Sequence, residues 1–373
     1  MSTLIKEVFF SANKDTGTLN DLIQQALAIE AKSLMILACD GNAVTAAQID
    51  PLLQALSIPV CGGIFPTVLH DKQHHDLGYL VCAFNDTFQV HELEDMSADM
   101  THEMQTVMSS NNIAKNSMFV LLDGLNQHID SFINKLYDCV GPSVNVLGGG
   151  AGSLSFEQKP CIISNQGLLM NCAQIVLLPK LINVGVRHGW EILAGPYMVT
   201  ESKGNTICSL NYAPAYEVYK EIVAPHTDLD FDNSDFFDIA KTFPFGMERL
   251  DGEVLVRDPI MVTEDGLLCV GKVPLYTMIY ILQGAPEQLI NAAASGVNVS
   301  GEELTLQPDA FVFDCVSRKL FLGDLFDEEL SSIRQQLPEK ASLVGVLSLG
   351  EIANGDGGMI QFHNKTTVIG ICP

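Results

Sequence analysis

The sequence predicts a mixed α/β protein of two domains, residues 1–205 and 206–373, with helices packed on sheets that combine parallel and antiparallel strands. Three observations carry this. A strand–helix–strand unit recurs three times, and its strands are apolar along their whole length, as strands buried on both faces are. Short apolar runs between the units are joined by Asn-Asp or Asn-Gln, the pattern of antiparallel hairpins, so the sheets are not purely parallel. The 373 residues, 47% of them hydrophobic, suffice for two cores without disulfide or metal staples.

In chain order, a strand over Glu7 to Ala12 precedes a helix opened by Thr18 and Asn20, whose Leu22, Ile23, Ala26 and Leu27 share one face. The first unit follows: an apolar run from Leu34 to Cys39 that closes on Asp40-Gly41, a helix with Ile49, Leu52, Leu53 and Leu56, and a second run from Ile58 to Cys61 before Gly62-Gly63. The second unit starts at Met118, passes through a helix bearing Ile129, Phe132, Ile133 and Leu136, and ends as VNVLGGGAGS. The third spans Phe311 to Cys315, a helix from Leu325 to Leu337, and a strand from Leu343 to Leu349. Each first strand closes near an Asp and each second strand near glycine. Hairpins are expected for Gly78–Asn85 with Thr87–Glu92, and for Cys161–Ser164 with Gly167–Asn171.

Val184 to Asn205 (VGVRHGWEILAGPYMVTESKGN) contains the only tryptophan and four glycines, and crosses from one domain to the next. Beyond it, Tyr212, Tyr216 and Tyr219 recur at helical spacing within Leu210–Ile222. His226–Asp238 is an acidic linker: its D-x-D-x-D opening has Asn233 where a calcium loop needs glycine and Ile239 where it needs a bidentate acid. Phe243–Met247, Val254–Val262, Leu267–Val273 and Met278–Gln283 then read as strands.

Charge and motifs exclude several functions. A formal net charge of -25 opposes binding to polyphosphate or to an anionic membrane surface. No apolar run reaches the length of a membrane span, and the N-terminus lacks a basic-then-apolar leader, so a cytoplasmic protein is expected. The ten cysteines lie mostly within apolar runs without C-x-x-C spacing and read as reduced core thiols. Gly266–Lys272 fits G-x-x-x-x-G-K, but Val273 and Pro274 replace the magnesium-binding hydroxyl and the start of the helix. Gly345–Gly350 has one residue too many for a nucleophile elbow around Ser348. Gly148–Gly152 does not make a dinucleotide fingerprint. With no hydrolase or metalloprotease signature, a non-enzyme is expected.

The segments HGWEILAGPYMVTESKGN, LNYAPAYEVYKEIV, FPFGMERLDGEVLVRDPIMVTEDGLL, GVLSLGEIANGDG and IQFHNKTTVIGI, in this order, resemble the FIST family of bacterial sensory proteins from about residue 30 to the end. The resemblance implies an N-terminal and a C-terminal FIST domain. It implies a small ligand, with amino acids proposed for the family and haem for stand-alone members that sense nitric oxide. It also implies a separate partner, a histidine kinase or a cyclic-di-GMP enzyme. Leu347-Ser348-Leu349 departs from the aromatic residues usual before the Gly-Glu pair.

The candidate ligand site is Arg187, His188, Trp190, Arg257, Asp258 and Glu351. For haem, His188 beside Arg187 and Trp190 offers an axial donor and a cation, with His363 as second candidate. For an amino acid, Arg257 and Asp258 offer opposite charges, and Glu351 an acid at a glycine-lined strand end. Arg257 and Asp258 also read as a structural pair that fixes a domain contact, and Trp190 as an anchor of the crossing. His74 and His75 read as solvent-exposed loop residues.

Overall fold

The computed structural model describes residues 3–97, 100–109, 117–249, 254–298, 304–354 and 358–373. Parts of two family-like motifs, residues 250–253 and 355–357, lie outside these. The fold is mixed α/β, as expected, and three of its sheets share one plan. In each, two parallel strands joined through a helix form the centre: Ser33–Cys39 with Val60–Phe65, Ser117–Asp123 with Asn145–Ala151, and Asp309–Cys315 with Ser342–Ser348. All three sequence units are therefore present. Antiparallel strands flank each first strand: Tyr79–Phe84, Cys172–Leu178 and Thr367–Cys372. Outside these lie Ile5–Ser11, Gln89–Glu94 and Asn183–Arg187.

The register aligns the units residue by residue. Gly62 faces Ile36, Gly148 faces Val120 and Gly345 faces Val312. At each glycine a Cβ would lie within 1.8 to 2.1 Å of the facing carbonyl oxygen. The glycines are thus required inside the second strands by close backbone approach, and do not simply end them. The three aspartates differ: Asp123 aligns with Cys39 and Cys315, Asp314 stands one place earlier and Asp40 one place later. They have no common role.

The sheets interlock cyclically. The chain leaving the first unit makes a hairpin, Thr67–His70 with Gln73–His75, on the third unit's Ser342–Ser348. The chain leaving the second unit adds Ile162–Ser164 and Gly167–Leu169 to the first unit's sheet. The chain leaving the third adds Glu351–Asn354 and Ile360–His363 to the second unit's Asn145–Ala151. Phe119 packs at 4.9 Å on Phe311, and Phe84 at 6.4 Å on the same ring, joining all three units in one core.

One expected hairpin forms, Ile162–Ser164 with Gly167–Leu169. The other does not. Tyr79–Phe84 already pairs on both edges, so Gln89–Glu94 crosses to the second sheet and pairs with Cys172–Leu178. His74 and His75 lie on the Gln73–His75 strand, not in a free loop: His74 Nδ1 is 2.8 Å from Asp327, and His75 packs 4.1 Å from Phe10.

The fourth sheet is built on the 13-residue strand Glu191–Lys203. Thr206–Leu210, Gly266–Cys269 and Pro259–Thr263 extend one side, and Met278–Gln283, Phe245–Glu248 and Val254–Arg257 the other. The helices Ala215–Val223 and Phe236–Ala240 pack over Val199, Ile207, Leu210, Phe245, Leu267, Ile279 and Ile281. Tyr219 is fully buried there, but Tyr212 is 82% exposed in a turn, so the three tyrosines do not form one helical stripe. The chain enters and leaves this body through adjacent strands, Glu191 pairing with Gln283. The 205/206 position falls in the turn between Lys203 and Thr206, which pair with each other.

Candidate functional site

His188-Gly189-Trp190 and Gly284-Ala285, next to the Glu191–Gln283 pair, are the two chain segments of the neck between the interlocked sheets and the fourth sheet. Trp190 anchors it. Its indole N–H donates to the Lys365 carbonyl at 3.0 Å, its ring lies 5.1 Å from Phe321, and the Lys365 ammonium sits 5.2 Å over it. A Cβ at position 284 would come within 2.2 Å of that ring, which is why the neck has glycine opposite tryptophan.

Around this anchor the seam buries charge. Lys365 Nζ lies 3.2 Å from Asp258 Oδ1 and donates to the Lys241 carbonyl at 3.0 Å. Ser317 donates to Asp258 Oδ2 at 2.6 Å. Burial raises the Asp258 carboxyl, with Lys365 and Ser317 pulling against it. Arg257 spends its guanidinium on the carbonyls of Lys272, Val256 and Phe362 at 2.9 to 3.2 Å. Asp258 and Arg257 thus tie the fourth sheet to the loop and strands around Phe362–Lys365, which is the structural reading of this pair.

Arg318 is the hub. Fully buried on the helix Val316–Leu322, it forks onto Glu329, contacts Asp314 Oδ1 at 3.2 Å, and donates to the carbonyls of His188 at 2.6 Å, Leu289 at 3.0 Å and Lys365 at 3.3 Å. Sequence reasoning missed Arg318, Lys365, Asp314 and Glu329. The available signal was a carboxylate, Asp314, four residues before a cation, Arg318, across the strand-to-helix turn at Cys315-Val316.

The predicted residues do converge here, with different roles. Arg187 is half-buried and donates to the Val186 carbonyl at 2.8 Å. His188 Nδ1 accepts the Trp190 backbone N–H at 3.0 Å. Burial, Arg318 and Arg187 hold its ring down to about 4, so it is neutral and its proton sits on Nε2. A haem iron needs the lone pair that this tautomer lacks on Nε2, and Nδ1 is occupied. The seam as arranged does not fit a haem held by His188.

His363 is the reverse case. Its ring is held down to about 3 by burial and the Arg257 charge, and its hydrogen bond to the Ala353 backbone leaves Nε2 buried with no partner among the described residues. A proton on Nδ1, toward that backbone, leaves Nε2 a free lone pair. Glu351, the backbone partner of His363, accepts from Ser348 Oγ at 2.9 Å, with Cys315 and the Thr366 backbone also bonding its carboxyl. Burial and the Asp314 charge push Glu351 well above the carboxylate range. Asn364 Oδ1 has no partner among the described residues, while Asp314 bonds Glu329 and Thr367. Buried polar groups are normally satisfied, so the unpartnered His363 Nε2 makes this the candidate site. No cluster of three or more His, Cys, Asp or Glu able to hold a metal occurs among the described residues.

The depressed histidines make stability pH-dependent. In the unfolded chain both rings titrate near 6.5, and in the fold near 4 and 3. Their contribution is present above pH 6.5 and is lost as pH falls toward 4, at up to about 1.4 kcal/mol per pH unit per group. His363→Gln is expected to melt less steeply with acidification than the parent between pH 6.5 and 4, as thermal denaturation at several pH values would show. Identical slopes would contradict the neutral, buried ring.

The FIST N domain model matches residues 33–213 and the FIST C domain model matches residues 215–354. The chain belongs to the FIST family. FIST domains are sensory domains that bind small ligands, and this FIST chain carries both halves in one polypeptide. No individually curated protein matches it. No helix among the described residues is long and apolar enough to cross a membrane. All ten cysteines are free thiols, eight of them buried. The family boundary at 213/215 cuts through the interlock: Ser342–Ser348 of the FIST C match pairs with Thr67–His70 of the FIST N match, and Glu351–Asn354 pairs with Asn145–Ala151.

Proposed function

We propose that this FIST protein is a small-ligand sensor whose ligand engages the seam at His363. The carrying observation is the free, neutral Nε2 of His363, buried beside Arg257. Such a nitrogen accepts a hydrogen bond from an ammonium, amide or hydroxyl, which suits the ammonium of an amino acid. Arg257 and Asp258 serve the ligand by holding the seam's two sides in register, and Glu351, its carboxyl pushed up by burial, stands opposite His363 on the paired strand. Because Trp190, Arg318 and Lys365 span the neck, occupancy at His363 alters how the fourth sheet sits on the interlocked sheets. That change is the signal, read in the cytoplasm by a separate histidine kinase or cyclic-di-GMP enzyme.

A haem reading survives only with iron on His363, the ring that offers a free nitrogen. It places nitric oxide sensing at the same seam.

Thermal-shift assays with the twenty amino acids, and absorbance titration with haem, test the proposal. A ligand of the native state raises the melting temperature by mass action. At least one compound is expected to stabilise the parent and His188→Ala but not His363→Ala. Stabilisation of His363→Ala equal to the parent, or none by any compound, contradicts it.

A further inference from the structure

Two tyrosines on the fourth sheet occupy positions that favour glycine. Asn211-Tyr212 makes the two-residue turn between Leu210 and Ala213, with φ of 48° and 69°. Such turns need positive φ at both central residues and usually carry Asn-Gly. Tyr276 is third in a turn closed by Thr277 N–H to the Pro274 carbonyl at 3.3 Å, with φ of 64°, again a glycine position. Both rings are solvent-facing, 82% and 71% exposed, so no packing within the chain repays a strain of about 1 kcal/mol or more each.

The turns flank the same stretch of Glu191–Lys203. Tyr276 N–H donates to the Val199 carbonyl at 2.8 Å, and Tyr212 N–H to Thr200 Oγ1 at 2.9 Å. Between and beside them lie the cross-strand pair Met198 and Met278, with Met278 and Leu275 exposed. Tyrosine and methionine are residue types enriched where proteins meet. Carboxylates border the patch: Glu201, exposed two residues beyond Val199, and Glu248, which accepts from Tyr280 Oη at 2.9 Å two residues along from Met278.

We infer that Tyr212, Tyr276, Met198, Met278 and Leu275 form a docking surface for a partner protein that presents an apolar ridge flanked by lysine or arginine. The acidic border selects the cationic flanks. It disfavours a second copy, which would bring the same carboxylates and a net charge of -25. The surface depends on the proposed function only in that the signal leaves through a separate protein. Binding at His363 can fail while docking succeeds, and the reverse.

Two synthetic amphipathic helical peptides test this by fluorescence anisotropy against the full chain, one with a leucine stripe flanked by lysines and its counterpart flanked by glutamates. The lysine peptide is expected to bind, and the Y212G/Y276G double variant to bind it about tenfold or more weakly. The same variant should melt no lower than the parent, since it loses only exposed rings and gains residues suited to positive φ. The inference is overturned if the lysine peptide does not bind by about 1 mM, if the variant binds it equally, or if the glutamate peptide binds as well. A lowered melting temperature, or self-association in sedimentation that disappears in the variant, overturns it too.

Discussion

Expressed separately, residues 1–213 and 214–373 are each expected to lack a cooperative unfolding transition, and to recover one only when produced together as a 1:1 complex. The cyclic exchange of hairpins requires this. The first fragment keeps Thr67–His70 without its partner Ser342–Ser348, Asn145–Ala151 without Glu351–Asn354, and Asn183–Arg187 without Thr367–Cys372. Each loss exposes a sheet edge and opens a ladder of backbone hydrogen bonds. It also uncovers Phe84 and Phe119, which pack on Phe311, at about 1.5–3 kcal/mol for each large side chain exposed. The second fragment loses Glu191–Lys203, the strand that joins both halves of the fourth sheet. Native stability is only about 5–15 kcal/mol, so several such losses exceed it. Circular dichroism melts of each fragment and of the pair check the outcome. A sharp melt from 214–373 alone would contradict the interlock.

Arg318→Met is expected to cost about 3–5 kcal/mol or more, the largest effect of any single substitution in the seam. It would leave Glu329 and Asp314, both fully buried, without their cation. The carbonyls of His188 and Leu289 would lose their donor. Most of the loss is the penalty of unpaired buried charge, so Glu329→Leu added to Arg318→Met should recover part of it, while Arg318→Lys, which keeps charge but not the planar fork, falls between. Urea midpoints with unchanged slopes measure this. A change below about 1 kcal/mol for Arg318→Met would remove the hub from the account.

Much of the fold was legible because strands buried on both faces write themselves as unbroken apolar runs, as Leu34–Cys39 and Met118–Leu122 do. Register was not, since a run of apolar residues looks the same wherever its partner lies. That is why Gly62, Gly148 and, in the third unit, Gly350 read as the strand-ending glycines, until pairing put Gly62, Gly148 and Gly345 opposite equivalent residues. Hairpin destinations were equally invisible: nothing within Thr67–His75 says which unit's sheet it joins. The Tyr212 misplacement had a local warning in Pro214, which biases the preceding residue away from helix.

The seam's members were legible in the sequence and their pairing was not. His188, Trp190, Arg257, Asp258, Glu351 and His363 all reach the seam, drawn from segments far apart in the chain. Which histidine has a free nitrogen depends on a backbone N–H two residues from His188 and on a carbonyl ten residues from His363. Composition carries neither fact. Arg318, next to Lys319, and Lys365, in the polar stretch 363–367, escaped because a cation in such company resembles an exposed one until its partners arrive from other elements.

Under the proposed function His363, not His188, presents the ligand-accepting nitrogen, and nitrogen-15 NMR of the imidazole rings in histidine-labelled protein at neutral pH reads this out. The expected spectrum shows His188 protonated on Nε2 with a bare Nδ1, His363 protonated on Nδ1 with a bare Nε2, and movement of the His363 Nε2 signal alone when a stabilising ligand is added. His363 protonated on Nε2, or ligand-induced movement at His188 with His363 unmoved, would contradict it.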